Sequence, residues 1–169
     1  YEKNNKLYFS THGGYYEIRE GMERVPINLP SKYKPYPGGH FLSYNLKSGQ
    51  FEDLALAPFE EGIVTMSMDT LRMQIYAITW PYGYFIHYDL SSNSMKNLGK
   101  ISSNGEAGQP GDDYRVLCRS LLINPENGYV YFSTGEGDIF YYIPGEAGIR
   151  KLEDISLKLD YFGKYDPSR

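Results

Sequence analysis

The sequence predicts an all-β fold, a β-propeller segment holding about three four-stranded blades. Three observations carry this reading. One apolar-aromatic strand is written three times, as KLYFSTHGG at 6–14, QIYAITWPYG at 74–83 and YVYFSTGEG at 129–137, and only the residues after the threonine change. A second pair of strands also recurs. GHFLSYNLKSGQFEDL (39–54) aligns on GYFIHYDLSSNSMKNL (83–98), with Phe41 on Phe85, Tyr44 on Tyr88, Leu46 on Leu90 and Leu54 on Leu98, each 44 residues apart. Finally, 18 tyrosines and 8 phenylalanines favour pleated, half-buried surfaces, while 18 glycines and 10 prolines supply the turns that many short strands need.

Each unit reads as four short strands in order, A to D. GDIFYYIPGEAGIRKL (137–152) supplies a third C–D pair on the same plan. VTMSMDTLRMQIYAIT (64–79) and RSLLINPENGYVYFST (119–134) are A–B pairs that match 55 residues apart, with Met66 on Leu121, Asp69 on Asn124, Tyr76 on Tyr131 and Thr79 on Thr134. The segments alternate with period two or run fully apolar, which excludes helical repeats; the four-strand recurrence argues against a sandwich. The expected blades are about 6–54, 62–101 and 116–156, with a tail at 157–169, and the first blade is expected to open in its B strand. Tyrosines 8, 76, 131, 44, 88 and 142 recur with the unit and are expected in packing. Propellers close with roughly four to eight blades. Three would leave sheet edges and apolar faces open, so the chain is expected to be part of a larger, seven-bladed ring, completed by further sequence or other chains.

Charge and composition narrow the function. A net charge of −4 and a pI near 5.4 argue against nucleic acid, which demands a basic patch. No apolar run reaches membrane-spanning length and no leader peptide is visible; the chain opens on Tyr1, as a trimmed or excised segment would. The single cysteine, Cys118, rules out an internal disulfide and a cysteine-built zinc site, and is expected to pack as a small apolar residue. No cofactor or metal is implied. There is no phosphate loop, nucleophile elbow, HExxH or calcium-binding run, and GEGDIF leads into a strand.

The A–B and C–D turns are short hairpin connections. Both long insertions, the B–C connection at 12–39 and the D–A connection around 102–115, fall on the opposite end of the blades, which marks that end as a binding face. Loop position then nominates His12, His40, Tyr114 and Arg119 as catalytic candidates, and Tyr15, Tyr16, Trp80, Tyr82 and Arg115 for substrate binding. Arg119 stands where the neighbouring A strand has Val64. Arginine can pair bidentately with a carboxylate, aromatic faces can stack on pyranose rings, and His or Tyr can exchange protons. Together these suit β-elimination of a uronate glycan: Arg neutralises the carboxylate, one His or Tyr removes the C5 proton, and another protonates the leaving oxygen. The alternative is a non-catalytic module binding a glycan or protein through the same loops; a redox or metal-bearing propeller is a weaker third. His87, in mid-strand, is expected to be structural, and the Asp112–Asp113 pair to be solvated. A periplasmic or secreted location is the expectation.

The stretches YPGGHFLSYNLKSGQFEDL, AITWPYGYFIHYDL and CRSLLINPENGYVYFSTGEG resemble a family of bacterial propeller proteins, over nearly the whole chain. Some of its members carry a silent-information-regulator label, which the absence of a glycine-rich dinucleotide loop and paired cysteines does not support here. The blade style is also similar to polysaccharide lyases built on seven-bladed propellers, which use His, Tyr and Arg. That resemblance implies a carbohydrate-active protein, and its motifs are structural rather than catalytic.

Overall fold

The computed structural model describes residues 1–13, 16–18, 24–26, 36–80, 82–101, 120–133 and 138–156. Within them the chain is all-β, with three four-stranded antiparallel sheets in sequence. The first holds β1 (Glu2–Lys3), β2 (Lys6–Ser10), β5 (His40–Asn45) and β6 (Phe51–Leu56); a separate hairpin of β3 (Tyr16–Ile18) and β4 (Arg24–Pro26) lies between β2 and β5 in the chain. The second is a meander of β7 (Gly62–Asp69), β8 (Gln74–Trp80), β9 (Tyr84–Asp89) and β10 (Ser94–Lys100). The third repeats it with β11 (Leu122–Ile123), β12 (Val130–Ser133), β13 (Asp138–Tyr142) and β14 (Arg150–Ser156).

The first sheet has one strand more than the sequence predicts. Glu2 pairs with Leu7 and Lys3 with Lys6 across a turn in which Asn4 and Asn5 both adopt positive φ (53° and 59°). Asparagine tolerates that region, and two such residues in a row make the mirror-image turn that suits strand twist. The A strand was hidden because it is two residues long and carries no apolar pattern.

Four of the other hairpin turns share one device. Asn45, Asp69, Asp89 and Asn124 each open a hairpin turn, and each Oδ1 accepts backbone N–H groups two or three residues on. That hydrogen bond bends the chain before the next strand starts. The alignment of Asp69 with Asn124 is therefore a turn requirement.

The middle sheet is packed on both faces, and β8 shows why it reads as a continuous apolar run. Ile75 and Ala77 face the first sheet, joining Tyr8, Phe41, Ile86 and Tyr88, while Tyr76 and Ile78 face the third, joining Phe85, Val130, Phe132 and Tyr142. Period two alternates the faces, and both are core. β6 and β10 are largely exposed, so the fourth strands form the outer edge. At the opposite edge the first strands approach one another, and the Ser67 hydroxyl donates to the Leu121 carbonyl at 2.9 Å.

Candidate functional site

The ends of the second strands and the starts of the third strands lie on one rim, with the 57–61 connection between the first and second sheets. The repeated threonine closes this rim. The Thr11 hydroxyl oxygen accepts the His40 N–H at 2.8 Å, and that of Thr79 accepts the Tyr84 N–H at 2.9 Å. The same bond thus ties the ends of a 28-residue connection in the first sheet and a four-residue one in the second. The residues beyond the threonine are free to vary because the closure does not depend on them.

Glu61 organises the second sheet's rim. Its buried carboxylate accepts the Thr79 hydroxyl at one oxygen and the Tyr82 N–H at the other, at 3.0 Å. Burial pushes its pKa above the usual carboxylate range, opposed by those two hydrogen bonds and by the charge of Lys100. Two glycines let the connections approach. Gly39 donates to the Glu61 carbonyl at 2.8 Å and accepts from Ala57 at 2.7 Å, and a side chain there would lie 2.5 Å from the Thr11 carbonyl oxygen. At Gly62 an added methyl would meet the His12 ring.

An aromatic patch stands on this scaffold. The Lys100 ammonium lies 4.8 Å from the centroid of the exposed Tyr82 ring and 5.8 Å from that of Tyr84. The Phe59 ring sits 4.9 Å from Tyr84, is 68% exposed, and is carried on left-handed backbone (φ 58°). A bulky residue held in that region and turned to solvent is a conformation the surrounding fold must maintain.

The predicted residues fall into three groups. His12 and Trp80 come together, edge to face with centroids 5.6 Å apart, and Tyr82 lies two residues beyond Trp80 on the same rim. His40 is at the rim but its Nδ1 is 2.8 Å from the Asp53 carboxylate, a half-exposed contact to the outer strand. Tyr16 lies in β3 opposite Pro26. Tyr15, Tyr114, Arg115 and Arg119, with Asp112, Asp113 and Cys118, lie outside the described residues. The sequence reading missed Phe59, Glu61, Tyr84 and Lys100. The only available signal was Lys100, a cation at the position of Leu56 in the preceding unit.

His87 belongs to the interior. It is buried between the second and third sheets, stacked 4.8 Å from Tyr76, with Nδ1 3.0 Å from the Tyr142 hydroxyl and Nε2 2.5 Å from Gln74 Oε1. The Gln74 amide nitrogen donates to the Arg72 carbonyl, so Oε1 is the acceptor and the neutral ring carries its proton on Nε2. At the end of the sheets away from the rim, a cleft of about 410 Å³ is lined by Arg72, Gln74, His87, Asp89 and Lys96. Among the described residues no three His, Cys, Asp or Glu side chains converge as a metal site, and no helix is long and apolar enough to cross a membrane.

No family model matches the chain, and no curated protein does. Solved structures similar to it include the extracellular domain of the one-component system BT4673 from B. thetaiotaomicron, at 16% identity, and that of the hybrid two-component system BT4673 from the same organism, at 15%. Each is matched over 88% of this chain and 21% of the other, with a TM-score of 0.45. The chain spans about a fifth of those structures' length.

Proposed function

We propose that this chain is a segment of a β-propeller that binds a glycan on the rim of the second sheet, where the 57–61 connection meets the start of its third strand and the end of its fourth. The observation that carries the reading is the patch of Phe59, Tyr82 and Tyr84 with the Lys100 ammonium lying over both tyrosines. Aromatic faces exposed to water match the C–H face of a pyranose ring, and an adjacent cation favours a sugar bearing a carboxylate. The rigid support, Glu61 holding Thr79 and the Tyr82 backbone, keeps the platform ordered before the ligand arrives, which lowers the entropy cost of binding. A polysaccharide ligand goes with a periplasmic or extracellular location.

Binding is favoured over catalysis because the described part of the rim offers a platform and a cation. The lyase reading draws Arg119 and Tyr114 from outside the described residues, with His12 beside Trp80 and His40 against Asp53 as its described participants. Calorimetric titration with oligouronates and with neutral oligosaccharides tests the proposal. Tyr82→Ala and Phe59→Ala are each expected to weaken oligouronate binding on the order of ten-fold, and Lys100→Met to remove the preference for the acidic ligand. Unchanged binding in all three variants would refute the site. Ultraviolet-absorbing unsaturated product, lost in His12→Ala, would establish the lyase instead.

A further inference from the structure

The two internal junctions between sheets handle charge differently at equivalent positions. On the side of the first sheet that faces the second, a cross-strand row runs Tyr8–Ser43–Glu52. Its acid is answered within the sheet: Lys6 Nζ lies 2.8 Å from Glu52 Oε2, which also accepts the Ser43 hydroxyl at 3.2 Å. On the side of the second sheet that faces the third, the matching row is Tyr76–His87–Lys96. Here a cation takes the acid's place, and the uncharged Gln74 stands where the first sheet has Lys6. Among the described residues Lys96 has no hydrogen bond and no ion pair. It borders the cleft of about 410 Å³ that opens at this junction, a volume within the roughly 300–1,000 Å³ of small-molecule sites.

The acceptors in the wall of this cleft are taken. His87 engages Tyr142 through Nδ1 and Gln74 Oε1 through Nε2. Asp89 Oδ1 accepts the N–H groups of Ser91 and Ser92 at 2.8 and 3.3 Å. Against partial burial, those bonds and the side chains of Gln74 and Ser92 hold its carboxyl below the usual range. Donors are left over. Arg72 directs three N–H groups to Asp69 and to the carbonyls of Pro125 and Glu126, out of the five that a guanidinium carries. The Lys96 ammonium and the Ser94 hydroxyl donate to no described residue. What the cleft lacks is an acceptor with a negative charge. With Asp69 and Asp89 close by, a singly charged, planar carboxylate is favoured over a doubly charged phosphate. We propose that the cleft binds a small organic acid, its carboxylate held by Lys96 with Ser94 and the remaining N–H groups of Arg72. The ligand supplies from outside the counter-charge that the first sheet carries in its own chain. This site lies at the opposite end of the sheets from the rim and does not rest on the glycan reading.

Nuclear magnetic resonance titration of the whole chain tests the site, with acetate, lactate and gluconate as probes and the amide of each as a neutral control. At least one acid is expected to saturate, shifting the resonances of Ser94, Lys96 and His87, and its amide to bind about ten-fold more weakly or not at all. Lys96→Met is expected to weaken the acid on the order of ten-fold, while Lys96→Arg keeps most of the affinity. Lys96 and Ser94 are exposed on β10, so the variants stay folded, which circular dichroism checks. Inorganic phosphate and oligouronate are titrated in parallel. Saturation by none of the three acids, equal binding of acid and amide, unchanged affinity in Lys96→Met, or shifts confined to other parts of the chain would overturn the proposal. Tighter binding of phosphate at these resonances would overturn the carboxylate assignment, and tighter binding of oligouronate there would replace the small acid with a glycan. Oligouronate shifts at Tyr82 and Tyr84 report separately on the rim.

Discussion

Acidification should loosen the junction between the second and third sheets through His87. The ring is buried, and burial lowers its pKa from 6.5 to about 4, Asp89 opposing and Lys96 assisting. In the unfolded chain the same residue titrates near 6.5. Between those values the unfolded state binds a proton that the folded state refuses, so stability is full above pH 6.5 and is lost as pH falls towards 4. The drop from 6.5 to about 4 corresponds to about 3 kcal/mol. That is a large share of the roughly 5–15 kcal/mol that holds an ordinary domain together. The cause is geometric: protonated Nδ1 can no longer accept the Tyr142 hydroxyl, and a charge would sit against Tyr76 with only Asp89 to offset it. Urea unfolding at steps from pH 7 to pH 4, on wild type and His87→Gln, isolates the effect, because the other carboxylates and histidines titrate in both proteins. The wild type is expected to lose on the order of 3 kcal/mol more than the variant over this range. Parallel curves would refute the assignment of His87 as a buried neutral group.

Two further outcomes concern the rim. Glu61→Ala should cost about 1–3 kcal/mol in thermal or urea unfolding, since the Thr79 hydroxyl and Tyr82 N–H lose their acceptor in a buried site. Glu61→Gln should cost less than Glu61→Ala, because its amide oxygen keeps one of the two acceptors and the desolvation cost that raises the carboxyl pKa is removed, while its NH2 group faces the other donor; a loss as large as that of the alanine variant would contradict the role given to the carboxylate. Gly39→Ala should destabilise by about 1–3 kcal/mol or more, as its methyl would press on the Thr11 carbonyl and the Ile63 amide, backbone groups that cannot swing away. A Gly39→Ala protein with unchanged melting temperature would show that the two connections do not approach as described.

Much of this architecture is legible in the residues because it is local. Alternation along 74–80 and 84–89 specifies strands with two buried faces, and the Asn or Asp that opens four of the hairpin turns bends the backbone with its own side chain. Of the repeated tyrosines, Tyr8, Tyr76, Tyr88 and Tyr142 are large, half-polar fillers between neighbouring sheets, whereas Tyr44 and Tyr131 are only half-buried and outside both core clusters. The first strand escaped because two residues carry no period; only its pairing across Asn4 and Asn5 defines it. Loop position brought only part of the nominated set together. His12 and Trp80 meet because two sheets pack side by side, while His40, chosen on the same positional logic, engages Asp53 on its own outer strand.

The repeated strands and the hairpin turns between them were settled by the order of the amino acids, since each depends on neighbours a few residues apart. Which side chains share the rim was set by packing in three dimensions. Glu61 reaches Thr79 and Tyr82 across about twenty residues, and Lys100 reaches Tyr82 and Tyr84 from the outer strand. Such contacts are fixed by how one connection folds over the next, and no periodicity in the chain records that distance.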